Sequence, residues 1–247
     1  MSRVPRCLLV DVGNTNTSFA LATPARILRH REVPTTRNLT VPFRPGEYEA
    51  AVIASVVPAV TKSLVRAVGS QSIVVNAFAD LGIGVNYPNK KQIGADRLAN
   101  AVAVAQLYGA PAIVVDFGTA VTFDIVNARR EYVGGVIAPG LSAMTDYLYQ
   151  RTALLPHLTL REPRSVIGKS TVGAMEVGSV IGYRGLVKEI LGALQREPGL
   201  RQAVVVATGG YGQLLARKIS AIDHVNPLLT LEGLRLIYVR NFSHEPN

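Results

Sequence analysis

Two aspartates occupy the same place in two similar stretches, "LLVDVGNTNTSFAL" at residues 8–21 and "IVVDFGTAVTFDIV" at residues 113–126. In each, an apolar run ends in an aspartate, Asp11 or Asp116, followed by one apolar residue, a glycine and small polar residues. Glycine permits a tight turn whose backbone N–H groups can approach an anion, and a nearby carboxylate can hold a cation against phosphate oxygens. One such turn alone would favour an ordinary hairpin. Its repetition favours a site for nucleotide phosphates and a metal ion.

A third aspartate lies at the start of a predicted helix. The segment "IGADR" places Asp96 next to Arg97, ahead of an uncharged run from Leu98 to Gly109. An aspartate in the first helical turn can simply complement the helix dipole. A carboxylate beside an arginine also suits a general base next to an anion-binding group. These residues alone leave the two interpretations equally open.

Two further segments resemble nucleotide-binding turns. The tetrapeptide Gly-Lys-Ser-Thr at 168–171 matches the end of a Walker A loop, but position 163, where that loop needs a glycine, holds Pro163. The polar segment "HLTLREPRSV" before it is also unlike the buried strand that leads into such a loop, so we reject the Walker interpretation. Lys169 and Thr171 remain candidate ligand contacts. "TGGYG" at 208–212 could lie against an adenine or ribose, although many α/β proteins turn this way without a ligand.

The composition of the chain excludes several classes of protein. Of its 247 residues 48% are hydrophobic and 17% charged, which predicts a sizeable core in one large domain or two adjoining ones. The single cysteine, Cys7, excludes a disulfide framework and a thiolate metal cluster. The four histidines show no paired metal-ligand spacing. No apolar run approaches the ~18 residues that span a bilayer, so we expect no membrane association and a cytoplasmic location.

The net charge of +9 could attract nucleic acid or small anions. The basic residues are dispersed, however, with no run of five or six and no interleaved aromatic residues. We therefore favour a solvated basic surface and consider a nucleic-acid partner unlikely.

Apolar runs and helical periodicity predict the elements that position these residues. Strands are expected at 7–11 and 17–22, followed by a basic turn region and a proline-rich loop at 33–47. The further expected strands are 50–57, 72–76, 131–137 and 203–207, and the expected helices are a short one between 57 and 72, then 94–109, 141–153, 169–196 and a last one from about 230. The predicted fold is an internally duplicated α/β protein with a central cleft, divided into halves at 1–111 and 112–247.

Seven segments, in this order along the chain, resemble the type III pantothenate kinase family of the acetate/sugar kinase–actin superfamily. They are "DVGNTNT", "SVVP", "GADRLANAVA", "VDFGTAVTFD", "GGVIAPG", "GKSTVGAM" and "ATGG", and the similarity runs over roughly residues 7–240. The resemblance implies two actin/ribonuclease H-like halves. It also implies ATP-dependent phosphorylation of pantothenate, the first step of coenzyme A synthesis, with Mg²⁺ and a monovalent cation (K⁺ or NH₄⁺), in a homodimer whose active site borrows residues from the neighbouring subunit.

The resemblance also implies roles for individual residues. Asp96 corresponds to the proton acceptor, with Gly94, Ala95 and Arg97 contacting the substrate beside it. The residues that correspond to the ATP-phosphate loop are Asp11, Val12, Gly13, Asn14, Thr15, Asn16, Thr17 and Ser18. Those that correspond to the remaining contacts are Thr119 for ATP, Tyr87 and Thr171 for pantothenate, and Asp116 for the monovalent cation.

One departure from the family and two rival functions remain. Family members usually carry a helix between the first hairpin and the strand ending in "SVVP", where this chain has only the loop at 33–47.

A regulatory protein that assists transcription, supported only by the basic charge, is one rival. The presence of Asp11, Asp96, Asp116 and Thr171 argues against it. A related kinase for another small alcohol is the second rival, which the Tyr87 and Thr171 matches disfavour.

Overall fold

The computed structural model of the chain describes residues 5–242. Its residues group into two compact units. The first comprises residues 5–109, 129–134 and 228–242, and the second comprises residues 110–128 and 135–227. Between residues 5 and 242, no helix is both long enough and apolar enough to cross a membrane.

The chain alternates between strands and helices. The strands are β1 (Cys7–Val12), β2 (Asn16–Ala22), β3 (Ile27–Pro34), β4 (Ala50–Ser55), β5 (Ser72–Val74), β6 (Gly84–Val85), β7 (Ala112–Phe117), β8 (Ala120–Val126), β9 (Glu131–Pro139), β10 (Val204–Thr208) and β11 (His224–Val225). The α-helices are α1 (Pro58–Val68), α2 (Ala95–Leu107), α3 (Leu141–Arg151), α4 (Thr171–Arg196), α5 (Gly212–Ala216) and α6 (Leu229–Phe242), and Lys90–Gln92 form one 3₁₀ turn.

The first unit is built on a sheet with the strand order β3-β2-β1-β4-β5. β1 pairs antiparallel with β2 and parallel with β4, which pairs parallel with β5. Helices α2 and α6 pack on each other and on this sheet. They approach closely, since a Cβ atom on Gly233 of α6 would lie 2.0 Å from the carbonyl oxygen of Ala99 in α2. The alanine-rich sequence of α2 therefore serves helix packing.

The second sheet has the strand order β11-β10-β7-β8-β9-β6, and its strands from β11 to β9 repeat the topology of the first sheet. β7 pairs antiparallel with β8 and parallel with β10, as β1 does with β2 and β4. β1 and β7 have the same length and the same sequence of buried positions. The predicted α/β fold with duplicated halves is confirmed at this level. The division at 111/112 stays a prediction, because compactness does not locate the boundary of a duplication.

One feature differs from the sequence expectations, and one agrees with them. The predicted basic turn region is the edge strand β3, in which six of eight residues are exposed, so no alternation of buried residues marked it as a strand. The loop predicted at 33–47 is confirmed except for residues 33 and 34, which belong to β3: residues 35–49 contain neither helix nor strand. In place of a helix, this loop packs Phe43 into the core formed by β1, β2, β4 and α1.

Candidate active site

The first aspartate-glycine turn joins β1 to β2 in the first unit. Asp11 faces Ser18 across the antiparallel pair and Ala54 on the parallel side. The backbone N–H of Gly13 donates to the carbonyl oxygen of Asn16 at 3.0 Å, which closes the turn. Asn14, Thr15 and Asn16 are exposed, whereas Thr17 is fully buried. The turn thus presents exposed polar groups beside a partly buried carboxylate.

The second turn joins β7 to β8 in the second unit and repeats this arrangement. Asp116 faces Thr122 on one side and Thr208 on the other. The N–H of Gly118 donates to the carbonyl oxygen of Ala120 at 3.1 Å. Asp116 and Asp11 are each the fifth residue of a six-residue strand. The correspondence that the sequence suggested is therefore present in the backbone pairing.

Backbone atoms of neighbouring segments lie close to Asp116 and to the turn that follows it. A Cβ atom on Gly209, which has a φ of +84°, would lie 2.5 Å from Oδ1 of Asp116. A Cβ atom on Gly140 would lie 2.1 Å from the carbonyl oxygen of Thr119. Only glycine fits at both positions, which explains the first glycine of "ATGG" and the last glycine of "GGVIAPG". Asp116 is flanked by two threonines on the neighbouring strands, and carboxylate and hydroxyl oxygens are ligands that suit a hard cation.

Within residues 5–242, no three histidine, cysteine, aspartate or glutamate side chains gather into a metal site. Mg²⁺ usually keeps several waters and binds one or two carboxylates plus substrate phosphates. The single carboxylate of Asp11, beside its glycine turn, meets that modest requirement.

Asp96 lies in the first turn of α2, behind the N-cap residue Gly94. Its Oδ1 accepts a hydrogen bond from the backbone N–H of Arg97 at 2.8 Å. Burial raises the pKa of Asp96, and the backbone hydrogen bond and the charge of Arg97 oppose that rise only in part. A carboxylate that served only to complement the helix dipole would have a lowered pKa. The environment thus favours the interpretation of Asp96 as a base, which stays a prediction.

One tyrosine ring lies beside Arg97 in the first unit, and a second ring lies beside the first. The guanidinium carbon of Arg97 lies 5.7 Å from the ring centroid of Tyr132, which is fully buried. The Tyr132 ring also lies 6.1 Å from that of Tyr87. Gly134, with a φ of +128°, lets the backbone pass the Tyr87 ring, since a Cβ atom there would lie 3.4 Å from Cε2. The structure thus links Tyr87 to Arg97 through Tyr132.

Sequence reasoning missed Tyr132. In the segment "EYVGG", the tyrosine looks like an ordinary buried strand residue, and nothing local marks its neighbours. Its place depends on the parallel pairing of Val85 with Tyr132, between β6 and β9. That pairing joins parts of the chain that are far apart in sequence.

Thr171 is the first residue of α4, in the second unit with Asp116 and Thr119. The hydroxyl of Ser170 caps this helix by accepting from the N–H of Gly173 at 3.1 Å. No strand lies within 152–170, so the rejection of a Walker A loop agrees with the local structure.

An arginine–glutamate pair binds the segment 152–170, which precedes α4 and contains no helix or strand. The buried Arg184 of α4 donates to Oε1 of Glu162 at 3.0 Å and to the carbonyl oxygen of Leu214 at 2.7 Å. Its hydrogen bonds lower the pKa of Glu162 to about 2. The segment leading to Thr171 is therefore fixed to α4, through an arginine that also binds α5.

The sequence matches known proteins over nearly its whole length. The family model for type III pantothenate kinase matches residues 7–193. A type III pantothenate kinase from Akkermansia muciniphila is 51% identical over 234 residues, covering 93% of this chain and 96% of that protein. The chain belongs to the type III pantothenate kinase family.

Solved structures that resemble this chain at lower sequence identity support the fold. A protein described as a Baf family transcriptional activator from Campylobacter jejuni has a TM-score of 0.63 at 20% identity, covering 95% of this chain and 98% of that one. A polyphosphate/ATP-glucomannokinase from Arthrobacter has a TM-score of 0.50 at 12% identity, covering 96% of this chain and 98% of that one. At these identities the likeness shows the fold alone. Membership of the kinase family disfavours the transcription-factor alternative.

Proposed function

We propose that this chain transfers the γ-phosphoryl group of ATP to the primary hydroxyl of pantothenate. The observation that carries the proposal is the setting of Asp96, which lies in the family segment "GADR" with its carboxyl partly buried and Arg97 beside it. A base and an anion-binding group at one helix start are what phosphorylation of an anionic alcohol requires.

Asp96 accepts the hydroxyl proton as the oxygen attacks phosphorus. An ordinary carboxyl with a pKa near 4 is a weak base, and the raised pKa of Asp96 brings it closer to the working pH. In a loose transition state the proton leaves late, so position matters more than basicity. Gly94 and Ala95 bring the backbone beside the hydroxyl, and Arg97 faces the substrate with its guanidinium held against Tyr132.

The turn at Asp11–Ser18 binds the ATP phosphates through its backbone N–H groups and polar side chains. Asp11 orients the hydration shell of Mg²⁺, which, when bound, neutralises charge on the phosphate oxygens. Thr119, at the corresponding turn of the second unit, is a further ATP contact. Tyr87 and Thr171 contact pantothenate.

Asp116 holds a monovalent cation, K⁺ or NH₄⁺. Its carboxylate and the side chains of the flanking Thr122 and Thr208 are oxygen donors, the kind of ligand that hard cations bind.

The chain forms a homodimer through an apolar groove between α3 and α4. The groove has a volume of about 510 Å³, and Met144, Tyr147 and Leu148 are exposed along it. On α4, Gly178, Gly182 and Gly185 have open space where a Cβ atom would lie, so a partner could approach the helix backbone. Exposed apolar patches of this kind mark interaction sites. A cytoplasmic location stays a prediction of the sequence.

The direct test is ATP-dependent phosphorylation of pantothenate by the purified protein, followed as ADP and phosphopantothenate formation. It is run in potassium, ammonium, sodium and choline salts, with another small alcohol as a specificity control. Turnover with pantothenate in potassium or ammonium is expected. An inactive protein that binds DNA would support the regulatory alternative, and turnover only with the other alcohol would support the second rival.

A further inference from the structure

The residue just after β3 holds the backbone of the phosphate turn. The N–H of Thr35 donates to the carbonyl oxygen of Thr15 at 2.8 Å. The hydroxyl of Thr35 donates to the carbonyl oxygen of Gly13 at 2.8 Å. One residue therefore binds two carbonyl groups on either side of the tip of the turn.

The hydroxyl of Thr35 also lies 2.8 Å from the hydroxyl of Thr17. A hydroxyl group has one hydrogen to donate. Because Thr35 uses its hydrogen on Gly13, Thr17 must be the donor in the contact between the two threonines. The resulting chain runs from Thr17 through Thr35 to Gly13, and Thr17 is fully buried at its inner end.

This arrangement fixes the direction of two peptide groups. In a trans peptide, the C=O of one residue and the N–H of the next point in opposite directions. With the carbonyls of Gly13 and Thr15 directed at Thr35, the N–H groups of Asn14 and Asn16 point away from it. A turn that binds phosphate must direct N–H groups, and not carbonyl oxygens, toward the anion.

We propose that Thr35 is a positioning residue for nucleotide binding, which keeps the carbonyls of the Asp11–Ser18 turn away from the phosphates and its N–H groups toward them. The inference rests on the proposed function, in which this turn binds ATP. Thr35 does not touch the nucleotide; it acts through Gly13, Thr15 and Thr17.

Glu32, in β3 itself, also binds the phosphate turn. Oε1 of Glu32 accepts from Nδ2 of Asn16 at 2.9 Å, which orients the amide of that exposed side chain. β3 exposes six of its eight side chains and is held by its pairing with β2 and by Val33, which packs against the core.

The test compares Thr35→Val with Thr35→Ser. Valine keeps the branched shape and the backbone N–H but loses the hydroxyl, whereas serine keeps the hydroxyl. Thr230→Val is the matched control, because Thr230 is also partly buried and donates to Oδ1 of Asn100 at 2.8 Å, in α6 and away from the turn. The readouts are the Kd for MgADP by titration calorimetry, the separate KM values for ATP and pantothenate, and a thermal melt of each variant.

For Thr35→Val we expect the Kd for MgADP and the KM for ATP to rise roughly five- to thirtyfold, as for the loss of one or two hydrogen bonds. The KM for pantothenate should stay within about twofold, and Thr35→Ser should restore nucleotide binding. The control should bind MgADP like the unmodified protein. Thr35→Ala, which also lacks the hydroxyl, replaces Thr35→Val if that variant does not fold.

The outcomes separate the two proposals. If the unmodified protein and Thr35→Val bind MgADP equally, the positioning role is wrong and the kinase function stands. If the unmodified protein binds MgADP but does not phosphorylate pantothenate, the proposed function fails while the comparison still tests Thr35. A protein that binds no nucleotide overturns both.

Discussion

A Cβ atom on Gly94 would lie 2.4 Å from Oδ1 of Asp96. The Asp96 side chain folds back over the N-cap residue of α2, where the same oxygen accepts the hydrogen bond from Arg97. The absence of a side chain at position 94 therefore decides where this carboxylate can lie. The glycine has φ −60° and ψ 140°, which any residue can adopt, so the requirement is for space and not for backbone freedom.

This relationship predicts the effect of Gly94→Ala. The added methyl group displaces the Asp96 carboxylate, and a displacement of about 1 Å can cost on the order of 10²-fold in turnover. The free energy of unfolding should change by no more than about 1 kcal/mol, because the carboxylate is the mobile end of its side chain. Steady-state kinetics and a urea titration measure both effects.

Gly192→Ala is the control for that substitution. Gly192 lies in α4 but outside the proposed interface, and a Cβ atom there would meet the end of the Arg196 side chain at 3.5 Å, so alanine should stabilise the helix by about 0.5–1 kcal/mol and leave kcat unchanged. Normal turnover in Gly94→Ala would show that the position of the Asp96 carboxylate does not matter for the reaction.

Asp96→Asn should lower kcat by roughly 10²–10⁴-fold, as expected when a positioned acid–base group is removed. Asparagine keeps the shape and can still accept the hydrogen bond from Arg97, but it cannot take the hydroxyl proton. The KM values for ATP and pantothenate should change little. A variant whose turnover stays within a fewfold of the unmodified protein would make Asp96 a structural residue.

The same substitution should change stability in a direction set by the raised pKa of Asp96. The folded state binds the proton more tightly than the unfolded state, so the ionised carboxylate destabilises the fold once the pH exceeds its folded pKa. Asp96→Asn should therefore be more stable than the unmodified protein at pH 7. The difference in the free energy of unfolding between the two proteins should become smaller as the pH falls through the folded pKa toward the ordinary value near 4. The urea midpoints of both proteins, measured across this pH range, test this expectation. A loss of stability at pH 7 would indicate a carboxylate that only complements the helix dipole.

The sequence predicted those parts of the fold whose signal is local. The two hairpins and α2 were predicted because apolar runs, glycine turns and a helix start lie within short segments. β3 was missed because its exposed side chains carry no alternation, and its pairing depends on β2. Tyr132 and Thr35 were missed for a related reason: each acts on a residue distant in sequence, and only the register of the strands brings them together.

Asp116→Asn should lower activity sharply and abolish its dependence on the monovalent cation. The amide keeps the side-chain volume between Gly118 and Gly209, so the thermal melt should stay near that of the unmodified protein, while the negative charge that holds the cation is lost. Activity is measured in potassium, ammonium, sodium and choline. Equal activity of the unmodified protein in all four salts would remove the cation from the proposal.

The apolar groove between α3 and α4 predicts that Tyr147→Glu dissociates a homodimer. Tyr147 lines the groove and is 61% exposed in the single chain, and burying a carboxylate in an apolar interface without a partner is costly. Light scattering at micromolar concentration should give a dimer for the unmodified protein and a monomer for Tyr147→Glu. Phe78→Glu is the control, because Phe78 is 69% exposed in the first unit and does not line the groove, so that variant should remain a dimer. A monomeric, fully active unmodified protein would contradict the homodimer, and dissociation by Phe78→Glu alone would place the interface elsewhere.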